Sequence, residues 1–213
     1  MNPTVNEIKA ALNLTSFDSS AAQYLMAPRP RELIRLPDRD GEPRTAAVML
    51  LLFPNNNELF FALTKRTGNL GNHQNQVSLP GGQVDDGEEL SQTAARELFE
   101  ELGVQQDQFR FLGKLAPLYI PPSDFEIYPF VAVLGEHPEF DVASDEVAEL
   151  IEVSLDSFFD RSNCKVEEWQ IRGNKVTVPF YALNGHKVWG ATAMVLSEFE
   201  QRVRTVNKLA MRA

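Results

Sequence analysis

Glu97, Glu100 and Glu101 are the residues of this chain best placed to do chemistry. They fall within a stretch, Glu88 to Leu102, whose apolar residues Leu90, Ala94, Leu98 and Leu102 recur with the period of a helix. A helix turns about 100° per residue, so the three carboxylates share an arc of roughly 60°. Like charges at that spacing repel, and near a helix C-terminus the macrodipole disfavours them further. An isolated Glu-x-x-Glu-Glu would read as a solvated acidic face. Here it stands in register with Gly82, Glu88, Arg96 and Gly103. A cluster of hard carboxylate oxygens is what Mg²⁺ or Mn²⁺ requires. Such ions would neutralise charge on a phosphoric anhydride and make a bound water more acidic, with a carboxylate to accept its proton.

The full pattern is Gly82, five residues, Glu88, seven residues, Arg96-Glu97-Leu98, Phe99, Glu100-Glu101, Leu102, Gly103 and Val104. It resembles the Nudix signature with every fixed position filled. The resemblance implies a hydrolase that cleaves the diphosphate of a nucleoside diphosphate linked to another moiety, with Mg²⁺ or Mn²⁺ as cofactor. It implies metal ligands at Glu97, Glu100, Glu101 and a carbonyl of the Gly81-Gly82 pair, and catalytic roles for Glu100, Glu101 and Arg96. Glu88 and Gly103 are the structural positions of the box. Glu88 is expected to start the helix beside its free N–H groups, and Gly103 to cap its end. Arg96, one turn before Glu100, orients a carboxylate or touches a phosphate oxygen. The general base in such enzymes is a box glutamate, here Glu100, or an acid on a later loop, for which Asp124, Glu126, Glu146 and Glu149 are candidates.

Outside the box, the chain is similar to the coenzyme A pyrophosphatase branch of that family. The similar stretches are Arg44-Thr45-Ala46-Ala47-Val48, Leu63-Thr64-Lys65-Arg66-Thr67, Asn75 to Gly82, Ser123 to Val131, and Val188 to Ala193. The branch's second arginine falls on Gly71 and its glycine on Asn75. The resemblance implies coenzyme A or its derivatives as substrate, with ADP-ribose, NADH or a nucleotide sugar as alternatives and a silent nucleotide sensor as a third reading. Arg66, His73 and Phe125 are the candidate substrate-binding residues: Arg66 and His73 for phosphate, Phe125 for stacking on a base, with Tyr119 and Tyr128 as further aromatics.

These residues need a scaffold. Val5 to Met26 reads as one or two short helices with Thr4 as N-cap, followed by a breaker-rich link through Pro43. Residues 1–43 are thus expected to be an N-terminal helical extension and linker, and 44–213 the catalytic domain. Ala46–Phe53 is a buried strand, Leu59–Thr64 its hairpin partner and Gln76–Leu79 a short strand stopped by Pro80-Gly81-Gly82. Strands are predicted over about Phe109–Leu118, Glu126–Leu134 and Leu150–Val153, with a short helix after Ser154. Two more flank Gly173-Asn174, and a helix from Gly190 to Arg212 ends the chain, with Trp189 packed in the core. Helices before, within and after a mixed sheet predict an α/β fold, specifically an α/β/α sandwich.

The 213 residues are 43% hydrophobic and 23% charged, ordinary for a globular protein, with a net charge of −10. An acidic surface argues against nucleic-acid partners, whereas a small nucleotide diphosphate remains accessible once divalent cations are bound. The one cysteine, Cys164, can form neither an intrachain disulfide nor a zinc site and is expected to be a buried or idle thiol. No signal sequence or membrane-length apolar run is evident, so a cytoplasmic protein with no membrane partner is expected. A homodimer is left open.

Overall fold

The computed structural model describes residues 1–30, 41–67, 76–142 and 145–211. Its chain order is α1 (Val5–Leu12), α2 (Ser19–Tyr24), β1 (Arg44–Asn55), β2 (Glu58–Arg66), β3 (Val77–Ser78), β4 (Gly81–Gln83), α3 (Leu90–Leu102), β5 (Phe109–Lys114), β6 (Leu118–Ile120), β7 (Phe125–Leu134), β8 (Val147–Ser154), α4 (Leu155–Phe159), β9 (Cys164–Ile171), β10 (Asn174–Leu183), β11 (His186–Trp189) and α5 (Gly190–Ala210).

The large sheet runs β3-β2-β1-β7-β5, with β4 on β1, β6 on β7 and β8 on β2. It is mixed: β1 and β7 are parallel, with Arg44 opposite Phe125, while the β1–β2 and β1–β4 pairings are antiparallel. The unbroken apolar run of β1 follows from burial on both faces. Ala47, Met49, Leu51 and Phe53 pack with Ala94, Leu98 and Leu102 of α3. Leu50 and Leu52 join the other core with Ile8 of α1, Phe158 of α4 and Phe199 of α5. Side chains alternate across a strand, so one sequence run feeds two cores. The result is the expected α/β/α sandwich. A second, antiparallel sheet of β9, β10 and β11 stands beside it.

Several local expectations are revised. The predicted strand Phe109–Leu118 is two strands: β5 pairs with β7 through Lys114, with a register shift between Phe111 and Gly113, and β6 takes the pairing up again at Leu118. The short strand β3 does end before Pro80-Gly81-Gly82, but Gly81 and Gly82 at once open a further strand, β4, opposite Val48 and Ala47. Cys164 is exposed, with its Sγ 3.9 Å from the sulfur of Met26.

The N-terminal helices are fastened to α5 by buried polar groups. Thr4 caps α1 in a reciprocal capping box with Glu7. Arg202 donates to Glu198 at 2.8 Å and to the Ala11 carbonyl at 3.4 Å, and Gln23 donates to Glu198 at 2.8 Å. Ser197 donates to the Ala22 carbonyl at 2.7 Å. Glu198 is fully buried. Removing one partner of such a pair strands the other charge in a low-dielectric interior. Glu198→Ala is therefore expected to cost about 3–5 kcal/mol in urea denaturation; a loss below about 1 kcal/mol, the surface-pair range, would refute it.

Candidate active site

The site is built where α3 meets the β4 segment. Helix α3 starts at Leu90, not Glu88, and Gly103 ends it in the left-handed conformation at φ 72°, its N–H donating to the Phe99 carbonyl at 2.8 Å. Glu88 therefore does not serve the free amides of the helix. It accepts from Thr93 Oγ1 at 2.7 Å and from Arg96 Nε at 3.0 Å. The Arg96 guanidinium, with the Thr93 hydroxyl adding to it, holds the Glu88 carboxyl down at about 2.

Arg96 is spent entirely on the protein. Besides Glu88, it donates to Glu97 at 2.8 Å, to Glu100 at 2.9 Å and to the Gln83 carbonyl at 3.2 Å. One planar fork thus fastens the box carboxylates to the strand that precedes them. In this structure every contact of Arg96 is with a carboxylate or the Gln83 carbonyl.

The three candidate ligands occupy different settings. Glu100 is about half exposed and faces the cleft. Glu97 lies against Gly82, where a Cβ would fall onto its carboxylate; only glycine permits that approach. Burial pushes the Glu97 carboxyl up, with Arg96 opposing. Glu101 turns inward: it accepts from Thr64 Oγ1 at 2.9 Å and from the Gly81 amide at 3.3 Å. Burial pushes it up to about 7 in spite of those donors. Gly81 itself has φ 155°, and a Cβ there would strike the backbone of Ala47 and Val48.

These groups stand at one end of a cleft of about 1170 Å³. Gly81, Gly82, Glu97, Glu100 and Arg66 line that end. Among the later acids only Glu146 lines the cleft. Asp124 accepts from Tyr119 at 3.0 Å, Glu126 from Tyr128 at 2.7 Å, and Glu149 pairs with Lys65 and His186. Tyr119 and Tyr128 are thereby tied to neighbouring acids. Phe125 lines the cleft, but the Arg44 guanidinium already lies 3.9 Å over its ring. His73 and Gly71 lie outside the described residues. Trp189 is not core: it is half-buried, edge-on to Trp169 at 5.1 Å, and lines the cleft. Arg44, Arg172, Ala27 and Pro28 also line it, and the sequence reading assigned none of them to the site. The Arg and Trp residues of the branch-like stretches were the one signal that could have found Arg44 and Trp189.

The donor chemistry at this end fits a hard divalent cation, for the carboxylates and the glycine carbonyls offer only oxygen. Among the described residues, no three His, Cys, Asp or Glu side chains already converge on one point. Arg96 holds Glu97 and Glu100 while Glu101 faces Gly81.

A family model described as NUDIX domain matches residues 43–172, more than half of the chain. An uncharacterized Nudix hydrolase, NudL, of Photorhabdus laumondii is 31% identical over 183 residues, covering 85% of this chain and 94% of that protein. Nudix hydrolase 15, mitochondrial, of Arabidopsis thaliana is 29% identical over 168 residues, covering 75% of this chain and 58% of that protein. Among solved structures, the Nudix hydrolase RenU of M. smegmatis aligns with a TM-score of 0.52 at 20% identity, over 80% of this chain and 89% of that one. The MutT protein of Methanosarcina mazei Go1 gives 0.51 at 20%, over 80% and 99%. The chain belongs to the Nudix hydrolase family. It is accordingly a hydrolase of diphosphate bonds, in a family that uses divalent metal ions and small nucleotide-diphosphate substrates. No helix among the described residues is long and apolar enough to cross a membrane.

The buried Glu101 has a consequence for stability. Its folded-state value, about 7, lies above the ordinary 4.5, so the folded state holds a proton that the unfolded state releases. Stability from this group is complete below about 4.5 and is lost as pH rises through about 7. The metal-free protein is expected to melt at lower temperature at pH 8 than at pH 5.5, and Glu101→Gln to flatten that difference. An unchanged pH dependence in Glu101→Gln would refute the assignment.

Proposed function

We propose that this chain is a Mg²⁺- or Mn²⁺-dependent coenzyme A diphosphatase, releasing 3′,5′-ADP and 4′-phosphopantetheine. The observation that carries the reading is a convergence. Arg44, Arg66, Ser123, Phe125, Trp189 and Thr192 come from four separate branch-like stretches, and all of them line one cleft. A second feature favours a long amphipathic arm over a sugar. The cleft is also lined by Pro28, Ile120, Ile127, Val176, Met194 and Val195, which offer an alcohol-rich ring few side-chain partners.

Glu97, Glu100, Glu101 and a carbonyl of the Gly81-Gly82 pair would hold the metal, which supplies Lewis-acid neutralisation of the diphosphate's charge. The protein's own groups do the rest. Arg96 is a positioning residue that keeps Glu97 and Glu100 at the cleft wall. Arg66 clamps a phosphate oxygen with its planar fork. Glu146 takes the proton from the attacking water. It lines the cleft and its carboxylate makes no hydrogen bond to a described residue, whereas the Glu100 carboxylate is already engaged by Arg96.

A hydrolysis screen over coenzyme A, ADP-ribose and NADH tests the substrate. Coenzyme A should be cleaved with Mg²⁺ or Mn²⁺ and not in excess EDTA. Rapid hydrolysis of ADP-ribose or NADH with none of coenzyme A would overturn the reading. Glu101→Gln and Glu146→Gln should each lower kcat by at least ~10²-fold, the scale of one charge-stabilising or proton-transfer group. If Glu146→Gln alone keeps wild-type kcat and pH profile, the base lies elsewhere.

A further inference from the structure

We infer that Arg44 and Arg172 form a second anion subsite, built to hold a phosphate monoester carried by the substrate away from its diphosphate. The inference rests on the reading that this cleft takes the nucleotide substrate.

Gly82 pairs with Ala47, and Arg44 lies three residues back along the same strand. That is roughly 10 Å from the glycine that abuts Glu97. Arg44 therefore serves a different part of the cleft from the metal-binding end. Its guanidinium carbon lies 3.9 Å from the centre of the Phe125 ring, and one N–H donates to the Ser123 carbonyl at 2.8 Å. These two contacts hold the group before any ligand arrives, so less ordering is left to be lost on binding.

Arg172 comes from another element. With Gly173 it makes the two-residue turn joining β9 to β10, at φ 50° and 79°. Turns of this kind favour Asn-Gly, because a residue with a Cβ is strained at positive φ and asparagine tolerates it best. Folding alone gives no reason for arginine there. The side chain is exposed and lines the same cleft as Arg44.

Neither arginine is in an ion pair with any described residue, although the chain carries 30 acidic groups against 20 basic ones and a net charge of −10. Arg66, the third arginine of the cleft, acts electrostatically on Glu101 and belongs to the other end. Two guanidinium groups on one cleft wall, neither ion-paired to a described residue, offer the paired N–H donors that a phosphate dianion accepts.

Calorimetric titration of the full chain with 5′-AMP, 3′,5′-ADP and 2′,5′-ADP tests this without turnover. The wild type should bind a bisphosphate at least ~10-fold more tightly than 5′-AMP, the scale of one charged hydrogen bond. Arg172→Asn is the decisive variant. Asparagine suits the turn, so folding is maintained or improved while the charge is removed; the preference should fall to about 3-fold or less. Arg44→Gln, with folding checked by circular dichroism, should do the same. Equal binding of all three ligands by the wild type, or a preference unchanged in Arg172→Asn, would overturn the subsite. A preference for 2′,5′-ADP over 3′,5′-ADP would support the subsite and count against coenzyme A. Absent coenzyme A hydrolysis with the arginine-dependent preference intact would remove only the coenzyme A reading.

Discussion

Everything at the active end depends on one guanidinium, that of Arg96, holding the carboxylates of Glu88, Glu97 and Glu100. Glutamates at Glu97, Glu100 and Glu101 crowd like charge into the last turns of a helix, an arrangement that disfavours the helix by itself. Arg96 relieves it by donating to Glu97 and Glu100, and it anchors the array to the sheet through the Gln83 carbonyl. Glu88 in turn fixes Arg96 from the other side. The loop between Gln83 and Leu90 therefore has its length set by electrostatics: it must bring Glu88 back over the helix to meet Arg96.

The sheet supplies the opposite kind of constraint. β1 is buried on both faces, so its position is fixed by two cores at once. Because Gly81 and Gly82 pair directly with it, the glycine pair inherits that rigidity. Close packing does the remaining work, since Gly81 has backbone on one side and Gly82 has the Glu97 carboxylate. A soft residue at either place would blur the distance between the carbonyls and the glutamates.

The box was legible in the sequence because its spacing is a property of a single helix and the turn before it. Gly103, Arg96 and the apolar stripe through Ala94, Leu98 and Leu102 stand where the period places them. The inward turn of Glu101 was legible too, in principle: it lies seven residues after Ala94 and three after Leu98, on the edge of the buried stripe. What the sequence could not show was convergence between distant segments. Glu146, Arg172 and Trp189 join the glutamates in lining one cleft only through the pairing of β8 with β2 and the placing of the second sheet, and neither is encoded in local periodicity. The same limit misplaced Trp189, whose apolar ring read as core although it closes one wall of the cleft. Glu88 was misread because a carboxylate near a helix start usually serves the amides, and here a stronger partner, Arg96, competes for it.

Trp189 carries a practical consequence. The chain has two tryptophans, and the other, Trp169, meets it edge-on at 5.1 Å with Lys187 above its ring. Indole emission responds to the polarity and electronic character of its surroundings, and one member of this pair faces the space a ligand would fill. The indole emission of the unlabelled protein therefore comes from two rings in edge-on contact, one of them at the cleft wall, so that occupancy of the cleft has an optical signature built into the fold.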